Sequence, residues 1–173
     1  FGRFDEIISK CKDQEYVARV QKQDDNRINN WYEELNLKDE GLINKWSLED
    51  FNHSDWNEFV IPGMWKDTCL DKVNGAVWFR KEVFLSSELV KSNAKLYLGS
   101  IIDSDEVYIN GILVGKTEYR YPPRIYNVNN EILREGRNII TIRVISNTGI
   151  GGFIKDKQYK LSFENGELDL SGG

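Results

Sequence analysis

The dipeptide Asn110-Gly111 lies between two apolar runs within LYLGSIIDSDEVYINGILVG, residues 96–115. Both central residues of a type I′ turn need φ > 0, which Asn and Gly tolerate best, so the pair signals a two-residue β-hairpin. Such a loop pairs Ile109 with Ile112 and Val107 with Val114. All four should then project from one face, and that face should be core. Leu96 and Leu98 mark another short strand, joined to the hairpin by the acidic segment IIDSDE. The stretch reads as a sheet nucleus with an acidic loop at one end.

From residue 57 onward the pattern stays short and period-two. Residues 58–61 read as a strand ended by Pro62-Gly63, and Asn74-Gly75 as a turn. Residues 76–85 place Val77, Phe79, Val83 and Leu85 on one parity. Pro122-Pro123 breaks the next region, 125–128 reads as a short strand, and REGRN at 134–138 as a turn. Ile140, Ile142 and Val144 then share a face, and Gly149-Ile150-Gly151-Gly152 forms a loop. Two last strands, 158–163 and 167–170, flank Asn165-Gly166, a second hairpin signal. About eight short strands with turns every 8–12 residues or so predict a mainly β fold, an antiparallel β-sandwich or jelly roll.

The first third differs. Residues 4–35 contain no Pro and no Gly and are rich in Lys, Glu, Gln, Asp and Arg, which predicts a helical segment before the sandwich. Ile28, Trp31, Tyr32 and Leu35 form an apolar stripe at i, i+3, i+4 and i+7, and Asp24-Asp25-Asn26 interrupts the pattern where a kink or a division into two helices is expected. Residues 1–56 hold 8 Lys/Arg against 13 Asp/Glu, whereas 57–173 hold 15 of each. The expected organisation is an acidic helical arm over 1–41, a β-sandwich over 42–170, and 171–173 as the cut end of a piece of a longer protein.

Several function classes are disfavoured. A net charge of −5 leaves no basic patch to displace counterions from phosphates, so nucleic acid is not an expected partner. No apolar run reaches the 18 or so residues of a membrane span. Cys11 and Cys69 fit no metal spacing and read as buried or semi-buried free thiols. The only histidine, His53, has no neighbouring nucleophile in a recognisable setting, and no cofactor is expected. Asp103, Asp105 and Glu118 could on paper supply the two carboxylates of a glycosidase, and Asp103, Ser104 and Asp105 the oxygen ligands of a calcium loop. Acidic residues between strands are more often solvated or bind backbone amides as Asx turns. Sugar binding fits the residue types better: Tyr119-Arg120-Tyr121-Pro122-Pro123-Arg124 is a stiff loop with two Tyr and two Arg. Trp56, Trp65 and Trp78 are further aromatic candidates, with Trp65 and Trp78 expected to close the sandwich.

Taken in order, IPGMW at 61–65, GAVWFRKEVFL at 75–85, residues 96–115, RIYNV at 124–128, REGRNIITIRV at 134–144 and GGF at 151–153 resemble the β-sandwich inserted in bacterial sialate O-acetylesterases. More distantly they resemble the N-terminal sugar-binding-like (galactose-binding-domain-like) jelly roll of family 2 glycoside hydrolases. The first resemblance implies a secreted or periplasmic parent, a hydrolase with an SGNH-type serine esterase site that removes acetyl groups from sialic acids. Its Gly-Gln-Ser-Asn and Asp-x-x-His blocks are missing here, so no catalytic residue carries over. Asp103 and Asp105 match its acidic loop, and Arg124 and Tyr126 its Arg-x-Tyr segment. Asp103, Asp105, Tyr119, Tyr121, Arg124 and Tyr126 are therefore the expected contact residues, toward a glycan or toward the catalytic domain of the same parent chain. The expectation is a non-catalytic sandwich domain of a sialate O-acetylesterase. The alternatives are a stand-alone carbohydrate-binding module and the accessory domain of a family 2 glycosidase.

Overall fold

The computed structural model describes residues 2–173, with side chains from residue 4 onward. It divides into two compact units, residues 1–39 and 40–173. The first unit is helical: α1 (Gly2–Lys12) and α2 (Gln14–Lys38). The break falls at Asp13, not at the expected 24–26. Asp13 has extended backbone and its carboxylate accepts from the amides of Glu15 and Tyr16, so it caps α2 and ends α1. Asp24-Asp25-Asn26 stays helical, with Asp24 paired to Arg27 one turn on.

The second unit opens with one helical turn, α3 (Glu40–Ile43), and is then all β. One antiparallel sheet has the order β1 (Gly75–Leu85), β7 (Gly136–Ser146), β4 (Ser104–Ile109), β5 (Ile112–Thr117). The other has the order β10 (Gly166–Asp169), β9 (Tyr159–Phe163), β2 (Ala94–Leu98), β6 (Ile125–Val128). A two-residue pair, β3 (Ile101–Ile102) with β8 (Gly152–Phe153), lies beside them. The chain is thus mainly antiparallel β with an N-terminal helical segment, consistent with a β-sandwich or jelly roll. Val83, Leu85, Leu96, Leu98, Val107, Ile109, Ile142, Val144 and Leu161 are all buried in one core cluster. Each apolar side chain withdrawn from water contributes about 1.5–3 kcal/mol before entropy is counted.

Local differences from the sequence reading have identifiable causes. Asn110 and Gly111 have φ of 50° and 81°, and Ile109 pairs with Ile112. A β-bulge then sets Val107 against Gly115 in place of Val114, and Ile112 on the edge strand is half exposed. The second hairpin turns on Glu164-Asn165, one residue early, because Phe163 pairs with Gly166. Residues 58–61 form no strand: Ile61 alone pairs, with Gly172, and Pro62 has no N–H to continue a ladder. Cys11 and Cys69 are free and exposed, not buried. Trp65 is fully buried and Trp78 nearly so, as closing aromatics should be.

Candidate functional site

The acidic loop and the Arg-x-Tyr segment meet inside the sandwich. β4 brings Asp105 inward and β6 brings Tyr126 inward. Arg124, just before β6, reaches between them: its Nε donates to Asp105 Oδ1 at 2.6 Å. Its two terminal nitrogens donate to the carbonyls of Arg120 (3.1 Å), Pro122 (2.7 Å), Ile101 (2.9 Å) and Asp103 (3.0 Å). All five guanidinium donors are used, which is what a buried arginine requires. Tyr126 donates its phenol proton to Asp105 Oδ2 at 2.5 Å, and Thr117 Oγ1 lies 2.7 Å from the same phenol oxygen.

Both charges of the pair are inaccessible: the side chains of Arg124 and Asp105 are each 0% exposed. Burial pushes the Asp105 carboxyl above the ordinary aspartate range, while Tyr126, Arg124 and their hydrogen bonds pull the other way. Burial, then the charge of Asp105, raises the Tyr126 phenol well above its usual value. This corrects the sequence expectation for three residues. Asp105 and Arg124 have no side-chain surface to offer a glycan or a neighbouring domain, and Tyr126 is buried with its hydroxyl bonded to Asp105 and Thr117. They hold the acidic loop to the Tyr119–Arg124 loop from within.

Asp103 does the same nearer the surface. One carboxylate oxygen takes Arg120, and the other accepts from the backbone N–H of Asn147 and from Thr148 Oγ1, both at 3.2 Å. It therefore joins the 119–123 loop to the 147–150 loop. Beside this junction a cleft of about 520 Å³ separates Lys66, Asp71, Lys72 and Asn74 from Asn147, Thr148, Gly149 and Ile150. Tyr119 and Tyr121 stand outward at 61% and 81% exposure, so of the six expected contact residues these two are open to solvent. Neither aspartate is available as a general acid or base, and Glu118 lies exposed beside Lys116 at 3.4 Å. Among the described residues no group of three or more His, Cys, Asp and Glu is placed to hold a metal.

The sequence reading missed the cleft residues, because they come from two loops far apart in the chain. It also missed two polar supports. Asn110 of the hairpin turn bonds Asn138 (2.8 Å), the carbonyl of Ile132 (2.8 Å) and the amide of Ile139 (2.9 Å). Buried Arg143 reaches Glu106 at 3.2 Å with its guanidinium 5.9 Å from the Trp78 ring. A second cavity, about 350 Å³, opens beside β1, and its lining includes Phe59, Phe79, Ile142 and Phe153 together with His53, Glu58 and Lys81.

Comparison with known proteins gives the family. The sequence profile of "Glycosyl hydrolases family 2, sugar binding domain" matches residues 15–167. A putative β-glucuronidase of Formosa agariphila is 27% identical over 141 residues, which is 75% of this chain and 13% of the relative. In structure the chain resembles a β-glucuronidase of Bacteroides uniformis, with TM-score 0.56, 22% identity, and 64% of this chain against 15% of that one covered. A Ruminococcus gnavus β-glucuronidase gives TM-score 0.55 at 19% identity, covering 63% and 18%. At these identities the structural likeness is one of fold, and the chain spans only a small part of each relative's length. The expected sialate O-acetylesterase parent is overturned: the profile and these relatives are glycosidases, and the SGNH serine esterase expectation falls with it. With its profile matched across residues 15–167, the chain belongs to the sugar-binding-domain family of the family 2 glycosyl hydrolases.

Proposed function

We propose that this chain is the accessory sandwich of a family 2 glycosidase that hydrolyses β-glucuronides, and that it carries no reaction of its own. The carrying observation is the profile match over residues 15–167, joined by the sequence likeness to the Formosa β-glucuronidase. The site supports the non-catalytic part. A retaining or inverting glycosidase needs two carboxyl groups facing one glycosidic bond. Here Asp105 is spent on Arg124 and Tyr126, and Asp103 on Arg120, Asn147 and Thr148. The partners proposed are the catalytic domain of the same polypeptide and the glycan on which it acts.

The test is turnover by the whole protein encoded by the gene, using 4-nitrophenyl β-D-glucuronide beside the corresponding β-galactoside and β-mannoside. Release of nitrophenol from the glucuronide in preference to the others is expected. Preference for a neutral glycoside would remove the glucuronide assignment while leaving the family in place.

A further inference from the structure

We infer that the loop end formed by residues 119–122, 147–150 and 66–74 is a binding site for an acidic pyranose, a sugar ring that carries a carboxylate. The inference rests on the sugar-binding reading of the domain and adds a location and a ligand class to it.

The first observation is how Tyr119 and Tyr121 are presented. Both rings are largely in solvent, yet the carbonyls of Arg120 and Pro122 are held by buried Arg124, and the Arg120 side chain by Asp103. Pro122-Pro123 fixes two further φ angles. The loop is thus ordered before any ligand arrives, which removes most of the entropy that binding would otherwise cost. Exposed tyrosines on a stiff backbone offer large flat contact area with only two side-chain torsions each. Flat aromatic faces suit the C–H face of a pyranose.

The second observation is what stands beside them. Arg120 and Thr148 bind opposite oxygens of one carboxylate, so the Tyr loop and the cleft wall are immediate neighbours. The cleft is lined by two lysines, Lys66 and Lys72, and by Asn74 and Asn147, against one acidic residue, Asp71. Asparagine amides match sugar hydroxyls, Thr148 Oγ1 can still accept while it donates to Asp103, and two lysines against one aspartate favour an anionic group on the ring. Asp103 is the positioning residue that keeps the two halves in register. The cavity beside β1 is lined mainly by aromatic and aliphatic residues, with His53, Asn57, Glu58, Arg80 and Lys81 as its polar groups.

Isothermal titration of the 173-residue chain with methyl β-D-glucuronide and methyl β-D-glucoside separates the parts, because the two sugars differ only in the carboxylate. The glucuronide should bind more tightly. Tyr121→Ala, at a position too exposed to affect folding, should weaken both by roughly tenfold, the loss of one aromatic contact. The double variant Lys66→Met/Lys72→Met should bring the glucuronide down to the glucoside's affinity and leave the glucoside unchanged. Binding of neither sugar at tens of millimolar overturns the site, even where the whole protein turns over glucuronides. Equal binding of the two sugars, untouched by the lysine substitutions, overturns the acidic-sugar assignment.

Discussion

Arg124 is the residue on which the loop end depends. It joins four backbone carbonyls and one carboxylate with no solvent to share the load. Arg124→Met leaves Asp105 buried without its cation, a defect that costs about 3–5 kcal/mol. Arg124→Lys should do little better, since one ammonium cannot replace a planar five-donor fork. Urea unfolding measures both, and a midpoint that barely moves would contradict the assignment. A second prediction concerns alkaline pH. Burial raises the phenols of Tyr126 and Tyr159, and Tyr159 also donates to the Ile154 carbonyl at 2.7 Å. Unfolded tyrosine ionises near pH 10. From about there up to the higher folded values the unfolded chain binds fewer protons, so stability should fall as pH rises. Tyr159→Phe should flatten that fall, whatever it does to stability at neutral pH. An alkaline slope identical to the parent's would show that the phenol is not the cause.

At the scale of elements, the β4–β5 hairpin is held by backbone geometry and close packing together. Gly111 has φ of 81°, so Gly111→Ala should cost about 1–2 kcal/mol. Gly115 lies where a Cβ would fall 2.0 Å from the Tyr126 ring, so Gly115→Ala should cost about 1–3 kcal/mol or more and disturb the Asp105 bond as well. Thermal unfolding ranks the two, and an undisturbed Gly115→Ala protein would contradict the packing. This hairpin was legible in the sequence because its turn chemistry is local to two residues. The bulge between Val107 and Tyr108 was not, because it depends on how β4 also pairs with β7. The same contrast explains the helices. Asp13 caps α2 through amides two and three residues away, whereas Asp24-Asp25-Asn26 only resembles a breaker when read by hydropathy.

For the whole molecule, alternation and turn spacing were enough for the sandwich, since each strand declares itself over a few residues. The site was only half legible. Tyr119 and Tyr121 stood out as aromatics in a proline-stiffened loop, but nothing in residue types separated them from Arg124 and Asp105, which face inward. Lys66, Lys72, Asn147 and Thr148 lie in segments brought together by contacts distant in sequence: Asp103 holds Asn147 and Thr148, Trp65 bonds the Gly151 carbonyl, and Gly149 packs against the Lys72 backbone. The parent was misread for a related reason. Hairpins, Pro-Gly turns and buried tryptophans recur in more than one enzyme's sandwich, and such features report fold more than chemistry. The most direct test of sugar recognition at the loop end is a chemical-shift map of the 173-residue chain titrated with D-glucuronic acid. Shifts gathered at Tyr119, Tyr121, Asn74, Asn147 and Thr148 are expected, with the β1 cavity quiet. Shifts gathered around Phe59, Phe79 and Lys81, or none in either place, would contradict it.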